Sequence, residues 1–267
     1  MTHCGHDAIM RPTPCRVWGD KMAIHDFTSQ RLFVDASLAA EAQVPCSPEQ
    51  HHYLIKVLRL NTGAAVLVFN GRDGEWRARI GTVTKRGAVL IVEEQTRQQT
   101  AGPDIDYLFA PLKHARLDYM VQKVTEMGVR RLRPVLTRRT IAERVNLDRM
   151  RANVIEAAEQ CGILRVPEVL EPQKLAHVLD RWDAARTLIF CDEAAAVVNP
   201  IAALAQVAKG PLAVLIGPEG GFADDERTAI LAQTATRTVS LGPRILRADT
   251  AAVAALAVIN AVVGEEY

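Results

Sequence analysis

Residues 215–226 read LIGPEGGFADDE, and residues 241–251 read LGPRILRADTA. The first stretch sets Gly217, Pro218, Glu219, Gly220 and Gly221 between an apolar run and an acidic helix start. Glycines there remove side chains where backbone must turn sharply or approach a ligand closely. With no Lys, Ser or Cys among them, these residues suit a ligand held by backbone and shape rather than by phosphate charge. Other chemistries lack their signatures. There is no GxxxxGK followed by Ser or Thr, and no early GxGxxG opening a helix. His51 and His52 have no partner set for a metal and read as helix-surface residues. The five cysteines form no CxxC pair, so free thiols are expected, with neither a zinc site nor a disulfide framework.

The net charge of +1 hides an uneven distribution. Between Gly128 and Arg151 eight arginines face two acids, whereas Arg186 to Tyr267 holds six basic and nine acidic residues. One region is therefore built to meet an anion, or is a solvated face with incidental arginines. The longest strongly apolar run, Ala251 to Val263, is interrupted by Asn260 and is too short to span a bilayer. The first residues lack a signal peptide's apolar stretch, so a cytoplasmic protein with no membrane partner is expected.

Stepping outward, these stretches need strands and helices to hold them. Arg31 to Asp35 reads as a strand. Ser47-Pro48-Glu49-Gln50 combines an N-cap, a proline at N1 and a capping-box glutamine, which predicts a helix to about Leu58. Three β-rich runs follow, at Ala64 to Asn70, Glu75 to Thr84 and Ala88 to Glu94, separated by glycine turns. They predict a small barrel-like module, and the polar stretch Thr96 to Pro103 reads as a linker. Strand and helix signals then alternate. Strands are predicted at Asp106 to Leu112, Leu132 to Leu136, Thr187 to Cys191, Leu212 to Ile216 and Thr238 to Leu241. Helices are predicted over 117–127, ended by Gly128, and at about 147–161, 174–182, 224–233 and 250–263. That alternation predicts an α/β domain with a mainly parallel sheet, in which ligands bind at the carboxyl ends of strands. Both opening stretches lie at such ends.

GPEGGF at Gly217 to Phe222, followed by LGPRILRADTA, resembles the two C-terminal signatures of the small-subunit rRNA uridine-N3 methyltransferase family, which belongs to the SPOUT superfamily. Further similar segments are Lys123 to Val129, Glu156 to Gly162 with Val166 to Glu168, and His52 to Arg59, so the resemblance spans about Gln30 to Val263 in order. Asp249 stands where the family often has Glu. Met1 to about Lys21 have no family counterpart, which makes Met22 an alternative start.

The resemblance implies a C-terminal SPOUT trefoil-knot methyltransferase domain with an N-terminal PUA-like β-barrel. The expected division is an N-terminal extension over 1–29, expected to be flexible, a barrel over 30–97, a linker over 98–103 and the knotted α/β domain over 104–267. It implies S-adenosylmethionine as cofactor, 16S rRNA of the small ribosomal subunit as substrate, a homodimer and no metal. By carry-over, Ile216, Gly217, Pro218, Glu219 and Gly220 form one cofactor wall, and Leu241, Gly242, Ile245, Leu246 and Arg247 another. The chemistry then assigns roles. Uracil N3 carries a proton, so Asp249 or Glu219 is a candidate base and Arg247 a candidate partner for the developing anion. Asp249 suits equally the N-cap of a helix beginning at Thr250. Arg31, Lys56, Arg59, Arg72, Arg77, Arg138 and Arg139 are candidate phosphate contacts. The apolar stretch Ala251 to Val263 predicts a helix buried against the knot or a dimer partner. Two alternatives stand beside this reading: a SPOUT enzyme for another RNA, such as a tRNA 2′-O-methylating enzyme, and a noncatalytic ribosome-assembly factor.

Overall fold

The computed structural model describes residues 29–264 apart from 86, 143 and 196–198. The N-terminal extension, with Cys4 and Cys15, lies outside the described residues. Strands β1 (Arg31–Phe33), β2 (Gln43–Pro45), β3 (Ala65–Phe69), β4 (Glu75–Val83) and β5 (Ala88–Arg97) form one sheet in the order β1-β3-β4-β5-β2. The strand β5 runs into the polar stretch expected to be linker, because Gln95 and Arg97 pair with Trp76 and Glu75. Between β2 and β3, helix α1 (Pro48–His51) begins on the predicted capping box: Gln50 N–H donates to Ser47 Oγ at 3.2 Å, and Ser47 N–H donates to Gln50 Oε1 at 3.0 Å. The helix continues to Val57, but as a π-turn over His52–Val57 whose wider i to i+5 bonding closes with Leu58 N–H on Tyr53 O. The short edge strand β2, which contains a proline, has too little periodicity to be read from sequence.

The second sheet is parallel throughout. Strands β6 (Ile105–Phe109), β7 (Arg131–Leu136), β8 (Glu168–Val169), β10 (Thr187–Cys191), β11 (Leu212–Ile216) and β12 (Thr236–Val239) take the order β12-β10-β11-β6-β7-β8, and β9 (Gln173–Lys174) pairs with the end of β7. β6 and β11 are buried along their whole length, as strands covered on both faces must be. On one face Tyr107, Phe109, Val214 and Ile216 pack against α2 (His114–Glu126), α3 (Leu147–Cys161), α5 (Pro200–Leu204) and α7 (Ala248–Val262). On the other, Leu108 and Leu215 meet α4 (Leu175–Asp180) and α6 (Asp224–Leu231). The helix α3 has the predicted bounds, capped by the Asn146 side chain and ended by Gly162 at φ 66°. Strand β12 ends at Val239, two residues before the predicted end.

The helix α7 buries Ala252, Leu256 and Ile259 against the core and leaves Ala257 and Ala261 exposed. One expectation needs correction. Arg31 does not face a phosphate. It is 7% exposed and donates to Glu75 at 2.6 Å, and Glu75 also takes Arg97 at 3.0 Å. Arg97 reaches on to Gly162 O at 2.7 Å, and Phe33 N–H donates to the Glu159 carboxylate at 2.8 Å. Arg31 and Arg97 thus carry positive charge to the carbonyl end of α3, where the helix dipole favours it, and join the two sheets.

Candidate active site

The chain leaves β11 into residues 217–222 and leaves β12 into residues 240–247, and the two loops face each other across a cavity of about 420 Å³. Each loop is forced by its sequence. A Cβ at Gly217 would lie 2.5 Å from the Phe222 ring, and Gly221 holds φ +69° against the Glu193 carboxylate, so a side chain fits neither place without strain. Gly221 N–H closes the turn on Pro218 O at 2.9 Å. Phe222 folds back beneath it and meets Phe190 edge to face at 5.3 Å, which ties the loop to the core.

Of the cofactor residues expected from sequence, Ile216, Gly217, Pro218, Glu219, Leu241, Gly242, Ile245 and Leu246 line this cavity. Gly220 and Arg247 do not line it. Gly220 is exposed and faces Arg139, whose Nη1 donates to Gly220 O at 2.7 Å. Arg247 is the exposed N-cap residue of α7, with its side chain making no cap bond. Because the helix starts at Ala248, Asp249 is not the N-cap but sits in the first turn, where its carboxylate accepts Thr250 N–H at 2.9 Å. Glu219 is ion-paired with Arg116 of α2. Both Arg116 and Arg139 therefore brace the 217–222 loop.

A third wall was missed. Cys191, Asp192, Glu193 and Ala194 leave the end of β10, between the other two strands. Asp192 accepts Arg227 at 2.7 Å and the Ala194 N–H at 3.0 Å. The strand Thr187 to Cys191 was legible, and the rule that ligands gather at carboxyl ends of strands points to these residues. Burial pushes the Cys191 thiol up to about 12, so it meets the cavity uncharged. Burial, with Cys191 and Asp249 nearby, also holds the Tyr107 hydroxyl well above its usual value.

The basic residues divide. Lys56 and Arg59 are exposed at the end of the π-turn, and Arg59 holds φ 55°. Arg72 lies 3.8 Å from Asp35, and Arg77 pairs with Glu94. Arg138 pairs with Asp225, and its N–H donates to Glu226 at 2.9 Å, so it clasps the start of α6. Among the described residues, no cluster of three His, Cys, Asp or Glu side chains is placed to hold a metal ion, and no helix is long and apolar enough to cross a membrane.

Comparison with known proteins decides the family. The model of an RNA methyltransferase domain matches residues 100–260, and that of an RNA methyltransferase PUA domain matches residues 47–93. Ribosomal RNA small subunit methyltransferase E of Synechocystis is 32% identical over 235 residues, covering 86% of this chain and 77% of that protein. The chain belongs to this methyltransferase family. The Rickettsia conorii member is 28% identical, covering 86% of this chain and 94% of its own. The Neisseria gonorrhoeae member, solved bound to S-adenosyl methionine, matches with a TM-score of 0.76 at 26% identity over 88% of this chain and 98% of its own. A Legionella pneumophila methyltransferase solved with the same cofactor matches with a TM-score of 0.78 at 27% identity, covering 89% and 99%. Its members' architecture is the one described above: a PUA-like N-terminal unit and a C-terminal SPOUT methyltransferase domain.

Proposed function

We propose that the protein transfers a methyl group from S-adenosylmethionine to N3 of a uridine in 16S rRNA of the small ribosomal subunit. The observation that carries this reading is the cavity where three parallel strands end, walled by the glycine-bearing loops that follow two of them. The residues fit the donor. At about 420 Å³ the cavity lies within the range of sites for ligands of this size, roughly 300–1,000 Å³. Its lining mixes apolar Ile216, Leu241 and Leu246 with Glu193, Asp192 and Ser240, which suits a molecule with a flat base, a ribose and a charged tail. The bound donor supplies an electrophilic methyl on a sulfonium.

The chain's own residues do the rest. Backbone of 216–219 and 241–246 positions the donor and excludes water, and positioning alone supplies much of the rate of an in-line displacement. The N3 proton must leave before or as the bond forms. Of the two candidate bases Glu219 lines the cavity but is engaged by Arg116, whereas Asp249, next to the lining residue Ala248, gives up only one lone pair, to Thr250 N–H. Arg247, exposed two residues away, would meet the uracil anion or the adjoining phosphate. Lys56, Arg59, Arg72 and Arg77 on the first unit, with Arg138, offer contacts to RNA backbone.

The same reading includes a cytoplasmic homodimer. The exposed apolar side of α7, at Ala257 and Ala261, supports pairing through the C-terminal unit. The substrate is an assembled small subunit, since the separate barrel and the 138–139 turn would meet phosphates that only a folded particle brings together. Label transfer from the donor to small subunits, protein-free 16S rRNA and tRNA tests this. Transfer to small subunits alone is expected, and equal or faster methylation of protein-free rRNA would overturn the particle requirement.

A further inference from the structure

A second cavity, of about 670 Å³, shares no lining residue with the first. It lies between the segment that follows β6 and the loop that follows β7. Since β6 pairs with β11 in parallel, it opens at the same carboxyl edge of the sheet as the donor cavity. Its floor is apolar: Leu112, Leu117 and Met150 are buried, Val145 is partly so, and Ile141 stands at the rim 67% exposed. Among the described residues its rim is cationic, with Lys113, Arg144 and Arg149. The described acid on it, Asp118, is spent on a two-pronged pair with Arg149, at 2.6 and 2.9 Å, and on Asn153 at 2.9 Å.

We propose that this cavity binds one nucleotide of the RNA strand, next to the nucleotide that is methylated. The inference rests on the RNA methyltransferase reading and deepens it. An apolar floor under a cationic rim matches a flat base attached to a phosphate, and neither a purely apolar nor a purely anionic ligand uses both halves. The two cavities share one rigid divider. Thr137 and Thr140 close the turn between them, through Thr137 N–H to Thr140 Oγ1 at 2.8 Å and Thr140 N–H to Thr137 O at 3.2 Å. Arg139 on that turn lines the donor cavity, while Ile141 lines the second. Two residues of chain span at most about 7 Å, so one strand can enter both. The charge favours RNA over a second copy of the chain, whose exposed α7 face is apolar.

Arg144→Ala and Ile141→Ser test this, neither residue touching the donor cavity. Both variants are expected to raise the KM for small subunits on the order of tenfold, with donor affinity and melting temperature unchanged. Arg144→Ala should also lower the salt slope of subunit binding by about one, and Ile141→Ser should leave it as it is. An unchanged KM in both variants overturns the inference. So does a dimer that sediments as monomer in either variant, which would give the cavity to a second copy. No transfer by the unaltered enzyme would instead remove the methyltransferase reading beneath it.

Discussion

Replacing the three loop glycines one at a time by alanine should produce three different outcomes. In Gly217→Ala the new Cβ would sit 2.5 Å from Phe222 Cε2 and 3.0 Å from two other ring atoms, where ordinary contact begins at 3.4 Å. The ring is backed by the fully buried Phe190, and its open side faces the donor cavity, so it gives way only by moving into that cavity. Either the ring or the backbone at the donor cavity must therefore move by about 1 Å, and overpacking of this kind costs about 1–3 kcal/mol. A donor-free protein relieves the strain by letting the loop drift, and donor binding has to reverse that drift. The strain thus enters the binding free energy, and donor affinity should fall roughly tenfold, at most about a hundredfold. In Gly220→Ala the nearest atoms belong to the Arg139 side chain at 3.7 and 3.8 Å, which is ordinary contact, so the change should stay within about 0.5 kcal/mol. Gly221→Ala falls between them: its φ of +69° costs alanine about 1–2 kcal/mol, while the crowded Glu193 carboxylate can move aside. Calorimetric titration of the donor, with melting temperatures alongside, measures all three. Donor affinity within twofold of wild type in Gly217→Ala, or an equal loss in Gly220→Ala, would refute the reasoning.

Arg247→Ala should slow methyl transfer far more than it weakens donor binding, by about 3–4 kcal/mol or a hundredfold and more in rate; equal losses would make it a cofactor residue. Asp249→Asn keeps an acceptor for Thr250 N–H and so should fold normally, and near-normal turnover in this variant would reject the base role. Glu75→Gln takes the carboxylate away from the buried Arg31 guanidinium and should cost about 3–5 kcal/mol in denaturant unfolding, a loss under 1 kcal/mol counting against the junction. Burial works to raise the Glu75 carboxyl, but hydrogen bonds from Arg31, Arg97 and Thr96 outweigh it and hold the group below 4.5. Its contribution should thus be complete above that pH and fade as pH falls through the lower folded value, a trend absent in Glu75→Gln. The Cys191 thiol, pushed to about 12, should resist alkylation at pH 8 until the protein unfolds, and rapid labelling of the native enzyme would contradict that raised pKa.

Much of the fold was legible because its signals are local. Ser47 to Gln50 announce α1, Asn146 and Gly162 bracket α3, and the apolar runs at 187–191 and 212–216 are strands of the predicted length. The π-turn was not legible, since a wider hydrogen-bond ring leaves no mark in a 3.6-residue pattern. Nor were β8 and β9, two residues each, whose pairing depends on β7. Within the site, the glycine-rich walls were readable because bare backbone is a compositional signal. The wall at Cys191 to Ala194 was not, because ordinary side chains become a wall only once β10 lies between β11 and β12. Arg31 shows the converse limit: one arginine looks like another until its partner, Glu75, 44 residues away, is known.

Labelled methyl transfer to small subunits from cells lacking this enzyme, followed by digestion and mapping of the modified nucleoside, tests the central claim most directly. One N3-methylated uridine in 16S rRNA is the expected product, lost in Gly217→Ala at low donor concentration. A 2′-O-methylated nucleoside, a methylated tRNA, or donor binding with no transfer to any RNA would contradict it.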